Sequence, residues 1–349
     1  MRWLFLIPFE KVIFTSVTRK ANKLERSAMA SFDRTSDLNN LYDLVMLRKP
    51  VMLQAPDGMG KSFLLDQLIS KLEGRRVCFY ISLRGYNSFS QFITDWVEQL
   101  MKVSVQHSNL QYQLKRFLED QNIHKLHSIE EIMNWTEHLI QLLSQVSLDF
   151  LFIFEDLEEW EGEESYHGLF EIFTTLSLAR NAQLLLSINP SFSPEPPLEG
   201  LENYKLIALT ERDIWPNGAT PQQKEAYDYA NGHTGLLIHL LYYLKPEDEL
   251  RIASSRLMQE LHPRFKLFKN RFTSLQWKLL RAIALEEEVA QPHAFDFLVK
   301  YKLGAASSVE RALRNLIDSG MISRYDSGWQ LTQVVHKRWL QWLYSSSSH

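Results

Sequence analysis

The most restrictive feature of the sequence is the segment 55–62, which reads Ala-Pro-Asp-Gly-Met-Gly-Lys-Ser. The apolar run 51–54 precedes it and the amphipathic run 63–72 follows it, so the order predicts a strand, a glycine-containing loop and a helix. A loop that wraps around a helix N-terminus points several backbone N–H groups, and the positive end of the helix dipole, at one bound anion. The segment therefore predicts a phosphate-binding loop.

The side chains of this loop suit a nucleoside triphosphate with Mg²⁺. Lys61 would reach the β- and γ-phosphates, and the Ser62 hydroxyl would ligate the metal. Ala55 stands where the pattern G-x-x-x-x-G-K-[ST] expects its first glycine, which weakens the motif only mildly because two glycines remain. The predicted nucleotide-binding residues are Asp57, Gly58, Met59, Gly60, Lys61, Ser62 and Phe63.

A second apolar run, 150–154, ends in two carboxylates, Glu155 and Asp156. Such a run is typical of a central parallel strand whose carboxyl end faces a ligand. We expect Glu155 to hold the Mg²⁺ together with Ser62, and Asp156 to orient the water that attacks the γ-phosphate. Asn189, which ends the next predicted strand, is a further catalytic candidate. The usual order is Asp before Glu, so the shorter Asp156 predicts slow hydrolysis or none.

The acidic character continues beyond this strand, with seven carboxylates between positions 155 and 164. Neither the spacing of a calcium loop nor a His or Cys partner pattern is present. We interpret the run as a solvated loop rather than a metal site.

Alternation of strands and helices over the first two thirds of the chain predicts an α/β fold: a doubly wound parallel sheet forming a P-loop NTPase core. The predicted strands cover 51–54, 77–82, 150–156, 183–189 and 205–209. Beyond 215 the strands stop, and two helices joined by the turn 231–235 predict a small helical lid. The expected domains are an N-terminal segment of doubtful status at 1–28, a core at 29–212, a lid at 213–250 and a winged-helix domain at 251–349.

The charge is distributed unevenly along the chain. From residue 251 onward there are 15 Lys and Arg against 8 Asp and Glu, whereas the remainder has 23 against 34. A basic third on an acidic body suggests a module that faces a polyanion, although a solvated basic face explains the charge equally well. Predicted helices at 275–285, 293–301 and 308–318, followed by a hairpin of 321–325 and 329–331, indicate a winged helix.

Within the last of these helices, Ser308, Arg311 and Asn315 share the face opposite the apolar stripe. Together with Arg324 in the wing they are the predicted contacts to double-stranded DNA. Ser307 and Glu310 predict a capping box at the helix start. Packing of the winged helix against the nucleotide-binding domain is the alternative to DNA contact.

With these residues in place, the chain resembles the archaeal-type P-loop ATPase family of the STAND/AAA+ group, which is related in layout to origin-recognition ATPases. The resemblance implies that ATP or ADP binds with Mg²⁺ between core and lid, and that the nucleotide state governs how the winged helix is held. Three departures are Ala55, the reversed pair Glu155-Asp156, and a leucine, Leu236 or Leu237, in place of the proline after the lid glycines. The features that carry the resemblance are the lead-in 32–38, the motif 60–62, the run 152–156, the polar end of 183–189, the turn 232–235 and the winged helix.

Three functions stay open at this point. The first is an ATP-binding, slowly hydrolysing switch whose winged helix faces DNA or a protein partner, or takes part in self-association. The second is an AAA+ helper that loads something on DNA in replication or transposition, and the third is a regulator that binds nucleotide without hydrolysing it. A single cysteine, Cys78, fits a reducing compartment. Because no apolar run reaches the roughly 18 residues of a membrane helix, we expect a cytoplasmic protein without a membrane partner, starting at Met1 or Met29.

Overall fold

A computed structural model describes residues 32–86, 88–120, 129–160, 166–190, 200–245, 248–325 and 328–345. The described residues form two compact units, one from Asp33 to Ile207 and one that contains Phe32 and the residues from Ala208 onward. The N-terminal segment 1–28, both candidate start residues and the acidic positions 161–164 lie outside the described residues.

The first unit is built on a five-stranded sheet in which every neighbouring pair of strands is parallel. The strands are β1 (Val51–Gln54), β2 (Val77–Ser82), β3 (Phe150–Glu155), β4 (Ala182–Ile188) and β5 (Glu202–Lys205), and the helices are α1 (Thr35–Met46), α2 (Lys61–Leu72), α3 (Phe89–Ser104), α4 (Ser108–Asp120), α5 (Ile129–Ser144) and α6 (Tyr166–Leu178). The order of the strands in the sheet is β2-β3-β4-β1-β5, so β2 and β5 form the edges. The sheet and its flanking helices confirm the predicted doubly wound α/β fold.

Strand β3 shows why the apolar run was a reliable signal. All six of its residues are buried. Phe150, Phe152 and Phe154 pack into a cluster with α3, α5 and α6, whereas Leu151 and Ile153 pack on the other face with α1 and α2. A strand covered on both faces has no polar position until it ends, and here it ends in the carboxylates of the predicted site.

The fifth strand is a correction to the sequence prediction. It was expected at 205–209 but lies at Glu202–Lys205, three residues earlier. As an edge strand it has alternating partly buried and exposed positions, so its sequence is polar. Leu206 and Leu209, which belong to the predicted range, are buried, but they lie in the segment that follows the strand.

The described residues of the second unit form helices and one hairpin, and they include an apolar core cluster that contains Phe32. The elements are α7 (Glu211–Ile214), α8 (Pro221–Ala230), α9 (Thr234–Tyr243), α10 (Leu250–Phe265), α11 (Ser274–Leu285), α12 (Phe295–Tyr301), α13 (Ala306–Asp318), β6 (Ile322–Tyr325), β7 (Gly328–Leu331) and α14 (Val334–Ser345). The two helices predicted to form a lid are present as α8 and α9, and three helices followed by the hairpin confirm the predicted winged helix. No sequence pattern predicted α10 and α14.

The start of α13 is a second correction. The predicted capping box of Ser307 and Glu310 is absent, because the helix begins at Ala306 and its N-cap residue Ala305 makes no side-chain hydrogen bond. Glu310 instead pairs with Arg314 one turn later, at 2.9 Å. Among the residues that the structure describes, no helix is long and apolar enough to cross a membrane.

Candidate nucleotide-binding site

The loop between β1 and α2 has the backbone that a phosphate cradle needs. Gly58 and Gly60 have φ angles of 73° and 91°, in the left-handed region that favours glycine. Gly60 is the N-cap residue of α2, which starts at Lys61. The N–H groups of the first helical turn have no partner within the helix, so they are available to an anion.

Lys61 lies inside this loop with only 6% of its surface exposed. Its Nζ donates a hydrogen bond to the carbonyl oxygen of Ala55 at 2.5 Å and lies 3.6 Å from Oδ1 of Asp57. The ammonium group is therefore held at the centre of the loop. A phosphate that entered would compete with Asp57 for it.

Ser62 and Glu155 meet directly, although 93 positions separate them in the sequence. The Ser62 hydroxyl donates to Oε1 of Glu155 at 2.6 Å. Glu155 is nearly fully buried, and its other oxygen accepts a hydrogen bond from the Tyr80 hydroxyl. Burial, with the negative charge of Glu155 in addition, raises the pKa of Tyr80, so Tyr80 stays a donor. The two predicted metal ligands are thus brought together at the carboxyl end of the sheet.

Asp156 lies next to this pair but faces a different strand. Its Oδ2 accepts a hydrogen bond from Ser82 at 2.6 Å, and its Oδ1 lies 3.5 Å from Nη2 of Arg84. Asp156 has a left-handed backbone with φ of 61°, which is uncommon for a residue other than glycine. This conformation starts a 3₁₀ turn, Leu157–Glu159.

The 3₁₀ turn brings a third carboxylate, Glu158, into the site. Its Oε1 accepts a hydrogen bond from the backbone N–H of Asn189 at 3.1 Å. Its Oε2 is buried and has no hydrogen-bond partner among the described residues. Burial raises the pKa of Glu158 to about 7, with the charges of Asp57 and Asp156 acting in the same direction and that of Lys61 opposing them.

No sequence pattern identified Glu158 as a site residue. The interpretation of the acidic run as a solvated loop is wrong at this position, because Glu158 is partly buried and Asp156 almost fully so. Only a turn that folds back onto β4 distinguishes Glu158 from its acidic neighbours, and no local sequence signal marks that turn.

Asn189 and Ser187 close the site from β4. Asn189 is 8% exposed and holds Glu158 through its backbone. Ser187 is paired with Glu155 in the register of β3 and β4, and its hydroxyl is buried without a hydrogen-bond partner among the described residues. Orphaned buried oxygens such as these are uncommon, and they suit a site that gains partners when a ligand binds.

Arg34, at the start of α1, supports the loop from behind and was not predicted as a site residue. Its guanidinium donates to the carbonyl oxygens of Met59 at 3.0 Å and Ile207 at 2.7 Å, and it pairs with Asp37 at 2.8 Å. Asp37 also accepts a hydrogen bond from Tyr204 on β5. The sequence signal that could have identified Arg34 was the segment 32–38, which contains both Arg34 and Asp37.

The residues present fit a nucleotide with Mg²⁺. The loop offers N–H groups and Lys61 to phosphate, while Ser62 and Glu155 offer oxygen ligands to a hard cation. Within the described part of the chain there is no group of three or more His, Cys, Asp or Glu that could hold a metal by itself. A Mg²⁺ ion here would therefore take its remaining ligands from water and phosphate, as Mg²⁺ commonly does.

In the second unit, the four residues predicted to contact DNA are all exposed to solvent. Ser308, Arg311 and Asn315 lie on the outer face of α13, and Arg324 extends from β6. The guanidinium of Arg324 lies over the ring of Trp329 at 5.8 Å. These four side chains form a polar, exposed set among the described residues.

Known proteins resemble this chain in its winged helix and in its overall fold. Residues 263–342 match a family described as a probable winged helix domain. No protein of curated function matches the chain in sequence. Among solved structures, a Walker-type ATPase of Pyrococcus abyssi is similar with a TM-score of 0.63 at 17% sequence identity, over 89% of this chain and 96% of that chain.

Two further structures are similar at lower scores. Cdc6p of Pyrobaculum aerophilum gives a TM-score of 0.43 at 14% identity, over 90% of this chain and 94% of that chain. A STAND protein with a tetratricopeptide repeat sensor from Pyrococcus horikoshii gives 0.40 at 13% identity, over 88% of this chain and 42% of that chain.

The fold and the loop define the class: this chain has the fold of a P-loop ATPase, with a winged helix domain at its C-terminal end. The similarity to the Pyrococcus abyssi ATPase, at its low sequence identity, is a similarity of fold. The predicted resemblance to archaeal P-loop ATPases is confirmed at that level.

Proposed function

We propose that this protein is an ATP-binding molecular switch that hydrolyses ATP slowly. The observation that carries the proposal is the hydrogen bond of 2.6 Å between Ser62 at the start of α2 and Glu155 at the end of β3. It puts a hydroxyl and a carboxylate, the two protein ligands that a P-loop site uses for Mg²⁺, at one point beside the phosphate loop.

In this proposal the backbone of residues 57–63 surrounds the phosphates. Lys61 leaves Ala55 and Asp57 to contact the β- and γ-phosphates, while Ser62 and Glu155 hold Mg²⁺, which neutralises charge on the phosphate oxygens. Asn189 contacts the γ-phosphate or the attacking water. Asp156 and Glu158 are the two candidates for the base.

Slow turnover is proposed because of two features of the site. Ala55 replaces a glycine of the usual loop, and the carboxylate directly after Glu155 is the short side chain of Asp156, which is bonded to Ser82. Binding needs the loop and Lys61, whereas hydrolysis also needs an aligned water. The second requirement is the more sensitive to small displacements.

The test is a nucleotide-binding assay with and without Mg²⁺, with phosphate release and sizing on the same sample. We expect the wild-type chain to bind ATP more tightly with Mg²⁺, Lys61→Ala to lose binding, and Ser62→Ala to lose the Mg²⁺ dependence. Lys71→Ala is the matched control, because Lys71 is an exposed lysine at the other end of α2. Wild-type protein that does not bind ATP would reject the proposal, whereas binding without phosphate release would leave a regulator that does not hydrolyse.

We propose that the winged helix contacts double-stranded DNA. The exposed side chains of Ser308, Arg311 and Asn315 on α13 suit phosphate and major-groove contact, and Arg324 suits a neighbouring phosphate. Binding of a labelled duplex should weaken steeply as salt rises from 50 to 200 mM, on the order of tenfold or more, because phosphate contacts release counterions. Arg311→Ala and Arg324→Ala should each reduce the salt slope by about one. Salt-insensitive or absent binding would remove DNA from the proposal.

A protein partner is the second candidate for this module. Phe295 and Val299 lie one turn apart on α12 and are 78% and 58% exposed. An exposed apolar pair of this kind favours protein contact over contact with a phosphate backbone. If Phe295→Asp leaves DNA binding unchanged, the two surfaces are separate.

A further inference from the structure

The two candidate bases face different strands of the sheet. Asp156 is hydrogen-bonded to Ser82 at the end of β2, which is an edge strand. Glu158 is hydrogen-bonded to Asn189 at the end of β4, which is the neighbour of β1. Because β1 leads into the loop that holds Lys61, Glu158 lies on the side of β3 that faces this loop, and Asp156 lies on the other side.

The oxygen atoms of the two residues also differ in their partners. Both oxygens of Asp156 have a partner, Ser82 at 2.6 Å and Arg84 at 3.5 Å. Glu158 has one oxygen anchored by the N–H of Asn189, while its Oε2 is buried and lacks a hydrogen-bond partner among the described residues. A buried carboxylate oxygen without a donor is costly. Water bound at a γ-phosphate would supply that donor.

The charges that act on the pKa of Glu158 are those of Lys61, which lowers it, and of Asp57 and Asp156, which raise it. Lys61 is the residue expected to contact the γ-phosphate, so the charge of a γ-phosphate bound there would also act on Glu158. The pKa of Glu158, raised to about 7 mainly by burial, suits a group that accepts a proton near neutral pH.

We propose that Glu158, and not Asp156, is the base that activates water for ATP hydrolysis, an inference that rests on the function proposed above. The water oxygen forms a bond to the γ-phosphorus. The bond from this phosphorus to the oxygen shared with the β-phosphate breaks, and its electron pair leaves with ADP. One proton of the water passes to Oε2 of Glu158 and is later released to solvent, so the products are ADP and inorganic phosphate.

The first test compares Glu158→Gln with Asp156→Asn. Each change removes one carboxylate and keeps the size of the side chain, so the pair is matched. We expect Glu158→Gln to lower the rate of single-turnover phosphate release by roughly 10²- to 10⁴-fold, the usual effect of losing a general base. Asp156→Asn should lower it by less than about tenfold, on the same scale. Both variants should still bind ATP, which also shows that the site has folded.

The second test measures ATP affinity against pH and does not depend on turnover. An ionised Glu158 repels the γ-phosphate, so the wild-type Kd for ATP should rise by about fivefold or more between pH 6 and pH 8. The Kd for ADP, which lacks that phosphate, should change less. The titration of the phosphate itself is common to wild type and Glu158→Gln, so the difference between the two proteins isolates Glu158.

Four outcomes separate this inference from the proposed function. Loss of turnover in Asp156→Asn with turnover retained in Glu158→Gln would overturn the inference and assign the base to Asp156. Wild-type protein that binds ATP but releases no phosphate, or a Glu158→Gln variant with the wild-type pH dependence of ATP affinity, would overturn the inference and leave ATP binding standing. Wild-type protein that does not bind ATP would reject the function itself.

Discussion

At the scale of single residues, the phosphate-binding loop carries a carboxylate, Asp57, whose negative charge would repel a bound phosphate. Asp57 lies 3.6 Å from Lys61, so it both occupies the lysine and adds negative charge where phosphates would bind. We expect Asp57→Asn to tighten ATP binding by about five- to tenfold, a gain of about 1 kcal/mol that is consistent with a screened charge near the surface. Isothermal titration measures it. Asp43→Asn, at an exposed position of α1, is the control and should change nothing; unchanged or weaker binding by Asp57→Asn would contradict the repulsion.

Glu158 should also reduce stability in a pH-dependent way. Its pKa is about 7 in the folded chain against 4.5 for the ordinary group, so as pH rises the carboxyl ionises in the unfolded chain first. The free energy of unfolding therefore falls as pH rises from about 4.5 to about 7. The loss is small near pH 4.5 and complete above about pH 7. Glu158→Gln should therefore raise the free energy of unfolding by up to about 3 kcal/mol at pH 8 and by much less at pH 5.

Urea unfolding of the nucleotide-free protein at both pH values measures this difference. Glu73→Gln, at an exposed position, is the matched control and should show no such dependence. A stability gain in Glu158→Gln that is equal at pH 5 and pH 8 would mean that the carboxylate is not the cause. A higher free energy of unfolding in Glu158→Gln would fit the common trade-off at active sites, where a residue that serves function lowers stability.

The sequence predicted the residues of the site better than it predicted their partners. Lys61, Ser62 and Glu155 were identifiable because a loop motif and an apolar strand ending in acid are local patterns. Glu158 was not, because its role depends on a turn that brings it to Asn189 across the sheet. Long-range contacts of this kind have no signature in a single sequence.

At the scale of elements, the same distinction holds. Strand β3 was placed well because it is buried on both faces and therefore continuously apolar. Strand β5 was misplaced because an edge strand can be polar, and the buried Leu206 and Leu209 lie beyond its end. The lower limit of α13 was wrong because a good capping pattern, Ser307 with Glu310, was available and not used.

In the wing of the second unit, the backbone of Gly328 lies very close to the backbone of Val289. Gly328 opens β7 with φ of 147°, and a Cβ atom there would lie 2.9 Å from the backbone carbonyl group of Val289. Val289 exchanges two backbone hydrogen bonds with Trp329, at 3.0 and 2.8 Å. Gly328→Ala should therefore force the two segments apart and destabilise the second unit by about 1 to 3 kcal/mol, the usual cost of overpacking.

Thermal unfolding followed by circular dichroism measures that cost. Gly320→Ala is the control, because Gly320 also has a positive φ, of 67°, but open space around it. The difference between the two variants reports the close approach of Val289 together with the greater backbone strain of an alanine at φ of 147°. If Gly320→Ala destabilises as much as Gly328→Ala, the approach of Val289 is not limiting. ATP affinity should be the same in both variants and in the wild type, because the change lies in the other unit.

At the scale of the whole molecule, the two units have separate hydrophobic cores. A ligand that binds one folded unit stabilises it by about 2.7 kcal/mol at a concentration of 100 Kd. We expect Mg²⁺ with ATP to raise the unfolding temperature of the unit that holds the phosphate loop, and Lys61→Ala to abolish this shift. Hydrogen exchange resolves the two units separately. Stabilisation confined to the winged helix would contradict the placement of the nucleotide in the first unit.

A switch further requires that the nucleotide and the DNA affect each other's binding. By linkage, if ATP changes the affinity for a DNA duplex by some factor, the duplex must change the affinity for ATP by the same factor. We expect a factor of about five or more, at the lower end of measured couplings. Both factors can be measured by fluorescence anisotropy, with labelled duplex at fixed ATP and with labelled ATP at fixed duplex.

Two variants serve as controls for this coupling. Arg311→Ala should weaken duplex binding without changing the affinity for ATP alone, and Lys61→Ala should remove the coupling while leaving duplex binding intact. A factor of one would mean that the chain carries two independent binding units rather than a switch, and two unequal factors would mean that one of the measurements reports something other than binding equilibrium.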